Sequence, residues 1–201
     1  MTHPAVSSGR AAVITGGASG IGLAAAVKLA GLGMKVCIAD IDALALESAA
    51  ATIASHARHD SDVIAVAADV SRIEDVQVLK DRAFSAFGDV AVLMNNAGTE
   101  GGGQLFGDHA RWQRILGVNL WGVINGVQTF VPEMIKQGNS CAIINTGSKQ
   151  GITCPPGDTA YNVSKAGIKV TTEAMAHELR NIGGCRITAH LLIPGFTFTG
   201  L

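Results

Sequence analysis

The sequence is poor in aromatic side chains and in charge. Aromatic residues make up 4% of its 201 residues and charged residues 15%. Aliphatic side chains must therefore fill the core, which is typical of buried strands in a sheet covered by helices on both faces. The net charge of −1 gives no electrostatic basis for binding nucleic acid or an anionic membrane. The composition thus argues against both of these function classes.

Cysteine is also scarce, and it is scattered along the chain. The four residues are Cys37, Cys141, Cys154 and Cys185, with no Cys-x-x-Cys pair. They predict neither a disulfide framework nor a zinc site. The histidines predict no metal site either. His56 and His59 lie three residues apart without a nearby third ligand, and His109, His177 and His190 have no partner pattern.

Long apolar runs are missing as well. The most apolar helical stretch, residues 116–131, is interrupted by Asn119, Asn125 and Gln128. It falls short of the ~18 unbroken apolar residues that a membrane span needs. Residues 1–10 have neither the charged region nor the apolar region of a secretory signal. We therefore expect a cytoplasmic protein that does not enter a membrane.

Short aliphatic runs alternate with longer helical patterns along the whole chain. The runs are residues 11–15, 35–39, 63–67, 90–94, 142–145 and 187–193. This alternation predicts one α/β domain over residues 1–201, with a doubly wound parallel sheet (Rossmann fold) and helices on both faces. In such sheets, ligands bind beyond the carboxyl ends of the strands. We therefore expect functional residues directly after strands.

Several residues predict where helices begin and end. Ser71 and Glu74 have the spacing of a capping box at the start of one helix. Asp158 is a predicted N-cap of a later helix. Pro132 falls inside a helical pattern, so we expect that helix to bend or end near residue 131.

A glycine-rich turn follows the first predicted strand. Residues 15–22 read Thr-Gly-Gly-Ala-Ser-Gly-Ile-Gly, in which Gly16, Gly20 and Gly22 form a Gly-x-x-x-Gly-x-Gly pattern. Glycines let the backbone approach a pyrophosphate, whose charge then meets the amides of a helix N-terminus. The Gly-x-x-x-Gly-x-Gly spacing departs from the commoner Gly-x-Gly-x-x-Gly pattern, so a turn without a ligand stays an alternative.

Asp40 ends the second predicted strand, about 20 residues after the glycines, where an acid can bind the adenosine ribose hydroxyls. The alternative is that Asp40 or Asp42 caps the next helix. A 2′-phosphate beside Asp40 would meet a like charge, with a repulsion of about 4 kcal/mol at ~4 Å and an effective dielectric of ~20. No Arg or Lys lies between Gly16 and Gly22 to offset it. We expect NAD(H) as cofactor in preference to NADP(H).

An ordered set of motifs resembles the short-chain dehydrogenase/reductases. Tyr161-Asn-Val-Ser-Lys165 matches their Tyr-x-x-x-Lys pair, and Ser148 precedes the tyrosine by thirteen residues. The glycine turn matches the pattern of that family. Asp69-Val70, Asn95-Asn96-Ala97-Gly98, Asn119 and Pro194-Gly195 follow in the expected order. The matched segments cover nearly all of residues 10–199, so the set is far more specific than any one motif.

The resemblance implies an oxidoreductase that transfers a hydride between NAD(H) and a small alcohol or carbonyl substrate. Tyr161 would move the alcohol proton, and Ser148 would stabilise the charge that develops on the substrate oxygen. Lys165, four residues after the tyrosine, shares its helical face. We expect its ammonium to lower the tyrosine pKa, ordinarily ~10, by most of the amount that catalysis needs. In isolation, a Tyr–Lys pair at this spacing is more often a solvated helix face.

The resemblance also assigns further contacts. Lys165 is expected to hold the nicotinamide ribose, and Asn119 to bind a water that links this lysine to solvent. Asp69 and Val70 would flank the adenine, although Asp69 could equally cap a helix. Asn96 would brace the strand ends. The implied cofactor-binding residues are Gly16, Ser19, Gly20, Ile21, Gly22, Asp40, Asp69, Val70, Asn96, Ala97, Gly98, Tyr161, Lys165, Pro194, Gly195 and Thr199.

Three further expectations follow from the family resemblance. Members continue past the Pro-Gly segment with a helical lid and one more strand, and we expect both to be absent from a chain ending at Leu201. Members associate through the helices that correspond to residues 111–137 and 159–181, which predicts a homo-oligomer. Residues near the site are small or apolar, which favours a neutral substrate. A catalytically silent nucleotide-binding or scaffold subunit is the alternative function.

Overall fold

The computed structural model describes residues 3–195. Within them, six strands alternate with helices. The strands are β1 (Ala11–Thr15), β2 (Lys35–Asp40), β3 (Val63–Ala67), β4 (Val92–Asn95), β5 (Cys141–Thr146) and β6 (Ile187–Leu192). The α-helices are α1 (Gly20–Gly31), α2 (Ala43–Ala54), α3 (Ile73–Phe87), α4 (His109–Leu116), α5 (Gly122–Lys136), α6 (Gln150–Thr153) and α7 (Thr159–Asn181).

The strands form one parallel sheet in the order β3-β2-β1-β4-β5-β6. Strand β1 pairs with β2 on one side, Val13 opposite Cys37, and with β4 on the other, Val13 opposite Leu93. The central strand β1 is buried along its whole length. Helices cover both faces of the sheet, since two large apolar clusters pack against it. This doubly wound architecture confirms the fold class predicted from the sequence.

The strand order reverses where β1 lies between β2 and β4. The chain leaves β1 toward one face of the sheet and β4 toward the other, so the carboxyl ends of these strands diverge. A crevice at this edge of the sheet is therefore built into the topology. None of the helices among residues 3–195 is long and apolar enough to span a bilayer.

One predicted helix start is wrong, and one of the two alternatives predicted for Pro132 is excluded. Helix α3 begins at Ile73 with Arg72 as N-cap, so Ser71 and Glu74 do not form a capping box. The hydroxyl of Ser71 donates to Asp69 Oδ1 at 2.7 Å, which takes it away from the helix amides. Pro132 does not end its helix, because α5 continues to Lys136. The absent N–H at this proline costs one hydrogen bond, and the buried neighbours Phe130 and Met134 hold the helix against the sheet.

Candidate active site

A cleft of about 330 Å³ opens at the carboxyl ends of the strands. The turns that follow β1, β2, β3, β4 and β5 contribute to its wall, and α7 closes one side. The site is therefore assembled from residues far apart in sequence, at the position that the doubly wound topology predicts.

The glycine turn between β1 and α1 forms one end of the cleft. Four of its predicted residues line the wall: Gly16, Ser19, Gly20 and Ile21. Ser19 is the N-cap of α1, and its side chain makes no capping hydrogen bond. Since the first-turn amides of a helix lack intrahelical partners, they are available to an anionic group.

Two of these glycines are required by close packing. Gly16 has a φ of +64°, and a Cβ on it would lie 2.7 Å from the Ala97 Cα. Gly22 does not line the cleft. A Cβ there would overlap the carbonyl oxygen of Gly16 and lie 2.7 Å from Asn96 Nδ2. Gly22 thus sets how closely α1 packs against the turn.

Asp40 lines the cleft at the end of β2. Its Oδ2 accepts from the Ala18 amide at 3.2 Å, and its Oδ1 accepts from the Ile41 amide at 2.8 Å. The carboxylate is therefore tied to the glycine turn and does not cap α2. Asp42 caps that helix instead, accepting from the amides of Leu44 and Ala45 at 3.0 Å.

Asp69 and Val70 line the cleft after β3. Asp69 Oδ1 accepts from the Ser71 amide at 2.9 Å. Asp69 therefore stabilises the turn after β3 and is also part of the cleft wall. The Val70 carbonyl accepts from Asn125 Nδ2 at 2.9 Å. A Cβ on Gly122 would lie 2.6 Å from Val70 Cγ2, which shows how tightly this turn sits on the helical layer.

Asn96 links the ends of neighbouring strands. Its Nδ2 donates to the carbonyls of Thr15 and Gly16, both at 3.2 Å. Its Oδ1 accepts from the Thr146 hydroxyl at 3.2 Å. One side chain thus connects the segments that follow β1, β4 and β5. Asn96, with the adjacent Ala97 and Gly98, lines the cleft.

Ser148, Tyr161 and Lys165 meet at the other end of the cleft. Ser148 lies close enough to the Tyr161 phenol to lower its pKa, and the Ser148 hydroxyl accepts from the Gln150 amide at 3.2 Å. Lys165 is only 5% exposed, and its Nζ lies 5.5 Å from the centre of the Tyr161 ring. The same Nζ donates to the Thr146 carbonyl at 3.0 Å. Strand β5 and helix α7 therefore position all three groups.

The environment shifts the two titrating groups in ways that the sequence does not reveal. Burial raises the pKa of the Tyr161 phenol, the nearby Ser148 side chain lowers it, and the carboxylate of Asp158 raises it. Burial lowers the pKa of Lys165 from 10.5 to about 8. The net shift at Tyr161 is upward, opposite to the direction expected from Lys165. A buried ammonium that is itself destabilised is a weaker source of positive charge.

Asn119 does not line the cleft but lies directly behind it. It belongs to a π-helical segment, Gly117–Trp121, between α4 and α5. The side chain is fully buried, with Oδ1 accepting from the Thr99 amide at 2.8 Å and Nδ2 donating to the Ser164 hydroxyl at 3.4 Å. Such π-helical turns occur frequently at functional sites. Asn119 connects the turn after β4 to helix α7.

The remaining predicted contacts lie near the end of the described chain. Pro194 and Gly195 line the cleft after β6. Thr199 lies outside the described residues. No group of three or more His, Cys, Asp or Glu side chains within residues 3–195 could hold a metal ion.

Five wall residues were missed by the sequence reasoning: Ile41, Ala68, Val118, Thr146 and Gly147. Four of them end β5 or follow directly after β2, β3 or β5. Considering every residue at a strand's carboxyl end would have found those four. Val118 offers no such signal, because it enters the wall through the π-helical turn.

Comparison with known proteins places this geometry in a family. Residues 10–201 match the family described as short chain dehydrogenase. The 1-deoxy-11-beta-hydroxypentalenate dehydrogenase of Streptomyces exfoliatus is 35% identical over 189 residues, which cover 92% of this chain and 66% of that protein. The 3beta-hydroxysteroid dehydrogenase 2 of Eggerthella lenta is 33% identical over 201 residues, covering 99% of this chain and 75% of that protein.

A solved structure agrees closely in three dimensions. The crystal structure of a short chain dehydrogenase/reductase from Burkholderia phymatum in complex with NAD has a TM-score of 0.92 and 42% identity, covering 100% of this chain and 69% of that chain. The chain spans slightly less than two thirds, 66%, of the length of the Streptomyces exfoliatus relative. The family match, the identities and the shared fold together show that this chain belongs to the short-chain dehydrogenase/reductase family.

Proposed function

We propose that the protein is an oxidoreductase that transfers a hydride between NAD(H) and a small alcohol or carbonyl substrate. The observation that carries the proposal is the shared cleft. It brings the glycine turn and Asp40 to one end, and Ser148, Tyr161 and Lys165 to the other. A dinucleotide has this polarity, with adenosine at one end and nicotinamide at the other.

The residues present fit a dinucleotide at the adenosine end. Gly16 and Gly22 permit a close approach of backbone segments that a Cβ would block. Asp40 holds its carboxylate at the cleft wall through the Ala18 amide, where ribose hydroxyls can donate to it. Among the described wall residues, Lys165 is the only cation, and it lies at the opposite end. This charge pattern favours NAD(H) over NADP(H).

The groups at the nicotinamide end suit proton transfer to or from an oxygen. Bound NAD(H) supplies the hydride donor or acceptor. Ser148 can donate a hydrogen bond to the substrate oxygen, which stabilises the negative charge that develops there. Tyr161 Oη can give a proton to that oxygen during reduction and remove it during oxidation. Lys165 Nζ lies 5.5 Å from the Tyr161 ring centre, so its ammonium form, with a pKa of about 8, adds positive charge beside the phenol below that pH.

The substrate we propose is neutral and largely apolar around its reacting carbon. Thr99, Val118 and Gly147 line the cleft, and none of them carries a charge. The names of two relatives, a hydroxypentalenate and a hydroxysteroid dehydrogenase, each describe an oxidation at a hydroxylated compound. Both names are in keeping with an alcohol or ketone as the reacting group.

The test of this proposal is a fluorescence titration of the purified protein with NADH and, in parallel, with NADPH. We expect micromolar NADH binding and much weaker NADPH binding. In Asp40→Asn the like charge is removed, so the NADPH-to-NADH ratio of dissociation constants should fall by about tenfold or more. Asp42→Asn is the matched control, because Asp42 caps α2 and does not line the cleft.

The outcomes separate the possibilities. An unchanged ratio in Asp40→Asn, or equal binding of both nucleotides by the unmodified protein, overturns the cofactor preference. Binding of neither nucleotide overturns the proposed function. Selective NADH binding, followed by turnover of alcohols or ketones, supports it. Selective binding without turnover of any alcohol or ketone tested would favour the silent nucleotide-binding subunit.

A further inference from the structure

A half-buried carboxylate lies beside the proposed acid–base residue without a hydrogen-bond partner in the described chain. Asp158 occupies the N-cap position of α7, but its side chain accepts no hydrogen bond from the helix amides. Tyr161 follows three residues later in the first turn. Residues three apart on a helix are neighbours, with Cβ atoms about 5–6 Å apart. The carboxylate therefore lies within Coulombic reach of the phenol.

The loop after β4 confines this carboxylate against α7. A Cβ on Gly101 would lie 3.2 Å from Asp158 Oδ1 and 3.5 Å from Oδ2, so only a glycine backbone leaves comfortable room. The Gly103 carbonyl accepts from the Ala160 amide at 2.9 Å, which fixes the loop on the first turn of α7. Water has limited access to Asp158 between these two segments, so its charge is less screened than a surface charge.

The charged groups around Tyr161 leave this carboxylate uncompensated. The Arg111 guanidinium donates to the Gly101 carbonyl at 2.7 Å, and no ion pair within 4 Å joins it to Asp158 among the described residues. Glu100 on the same loop and Lys149 after β5 are both exposed to solvent. Lys165 approaches the phenol ring from the other side, 5.5 Å from its centre. Of these charged groups, Asp158 is the one that raises the pKa of Tyr161.

We propose that Asp158 is a positioning residue for the proton of Tyr161, with a carboxylate that favours the neutral phenol. It does not line the cleft and touches no reacting atom, so it acts through the tyrosine. This inference rests on the proposed function in one respect, that the Tyr161 proton is the one transferred. A neutral phenol is the form that donates a proton to a carbonyl, so Asp158 favours the form of Tyr161 that reduction requires.

The direction of the pH dependence follows from the sign of the charge. Burial raises the pKa of Tyr161, and the Asp158 carboxylate adds to this increase by repelling the phenolate. Oxidation requires the phenolate to accept a proton, so its rate rises with pH through this pKa. Removing the carboxylate lowers the pKa and moves that rise to lower pH.

The experiment exploits the fact that Tyr161 is the one tyrosine in the sequence. The near-ultraviolet absorbance of tyrosinate therefore reports this residue alone, without substrate or cofactor. We expect Asp158→Asn to shift the titration midpoint to lower pH, while Asp158→Glu, which keeps the charge, stays closer to the unmodified protein. Glu100→Gln is the matched control, since it removes an exposed carboxylate from the loop after β4, which packs against Asp158. Its midpoint should not move.

Asparagine is itself a good N-cap, so Asp158→Asn should fold normally, and circular dichroism verifies this. An unchanged midpoint in the folded variant overturns the inference, as does an equal shift in Glu100→Gln. The pH profile of alcohol oxidation then tests the function separately. A matching shift of both curves supports the inference and the role of Tyr161. A tyrosinate shift without any change in the activity profile supports the electrostatics but refutes Tyr161 as the proton-transfer group.

Discussion

At the scale of single residues, burial shifts the pKa values of the two side chains proposed to take part in proton transfer. It lowers the pKa of Lys165 to about 8 and raises that of Tyr161. In both cases the charged form is the one that loses its hydration. Tyrosine and lysine ordinarily have similar pKa values of ~10. Here the two shifts have opposite directions, so the two groups titrate in different pH ranges. The Lys165 side chain is therefore increasingly neutral as the pH rises above ~8.

The Tyr161→Phe variant tests the catalytic assignment directly. Phenylalanine keeps the ring and its packing beside Lys165 but has no proton to transfer. We expect kcat to fall by about two to four orders of magnitude, the usual contribution of general acid–base catalysis. NADH binding should be nearly unchanged. Steady-state kinetics and the NADH titration measure the two effects, and activity close to that of the unmodified protein would refute the assignment.

The sequence was informative about which residues meet but not about their energetics. Spacing predicts that Tyr161 and Lys165 share a helical face, and the structure brings them together with Ser148. The sequence could not show that Lys165 is 5% exposed or that Asp158 is confined against Gly101. Those properties depend on which distant segments cover a side chain. The expected direction of the Tyr161 shift was wrong for this reason.

At the scale of secondary-structure elements, glycines in α1 have two different roles. Gly22 lies where α1 crosses the glycine turn, and a Cβ there would overlap the Gly16 carbonyl oxygen. Gly31 ends the same helix, and a Cβ on it would meet nothing within 4 Å. Both residues are glycines of one helix, so comparing them separates the effect of close packing, at Gly22, from the effect of helix propensity, at Gly31.

Substituting each glycine by alanine tests this contrast. Gly22→Ala should push α1 away from the turn, lowering the free energy of unfolding by about 1–3 kcal/mol and weakening NADH binding by about tenfold or more. Gly31→Ala should be neutral or stabilising by up to about 1 kcal/mol, because alanine favours helices. Urea unfolding and the NADH titration measure both effects. Equal behaviour of the two variants would contradict the packing role of Gly22.

Local signals predicted elements better than their boundaries. Aliphatic runs located all six strands, with ends displaced by at most two residues. The capping box failed because the Ser71 side chain has a competing local acceptor, Asp69. Pro132 failed as a stop because packing of α5 on the sheet outweighs one missing hydrogen bond. The π-helical turn at Asn119 has no sequence signal, since it reflects how α4 and α5 are joined over the sheet.

At the scale of the whole molecule, the order of strands places the cleft. A parallel sheet with right-handed crossovers was predictable from the alternation of elements, but the reversal between β1 and β4 requires contacts between segments about 80 residues apart, such as Val13 opposite Leu93. Asn96 then fixes this junction through the carbonyls of Thr15 and Gly16. Topology thus explains why residues from the segments that follow β1 to β6, together with the π-helical turn and α7, form one site.

The outer surface around α7 carries an apolar helix face, formed by Trp121, Val163 and Val170. These side chains are 55%, 45% and 63% exposed. Val163 and Val170 are two helical turns apart, and Gly167 lies between them. A Cβ on Gly167 would lie 2.9 Å from Leu120 Cδ1, so the segment that carries Trp121 packs directly beside this face. An exposed apolar surface on these helices is where we expect copies of the chain to associate.

A charge placed on the apolar helix face tests this association. Burying an unpaired carboxylate in an interface is costly, so Val170→Glu should dissociate a homo-oligomer into smaller species. Val78→Glu is the matched control, since Val78 is a 56% exposed valine on α3, away from this face. Size-exclusion chromatography with light scattering measures the mass of each. A monomeric unmodified protein would contradict the prediction, and so would equal dissociation by both variants, because that would mean destabilisation by any added charge rather than disruption of a specific interface.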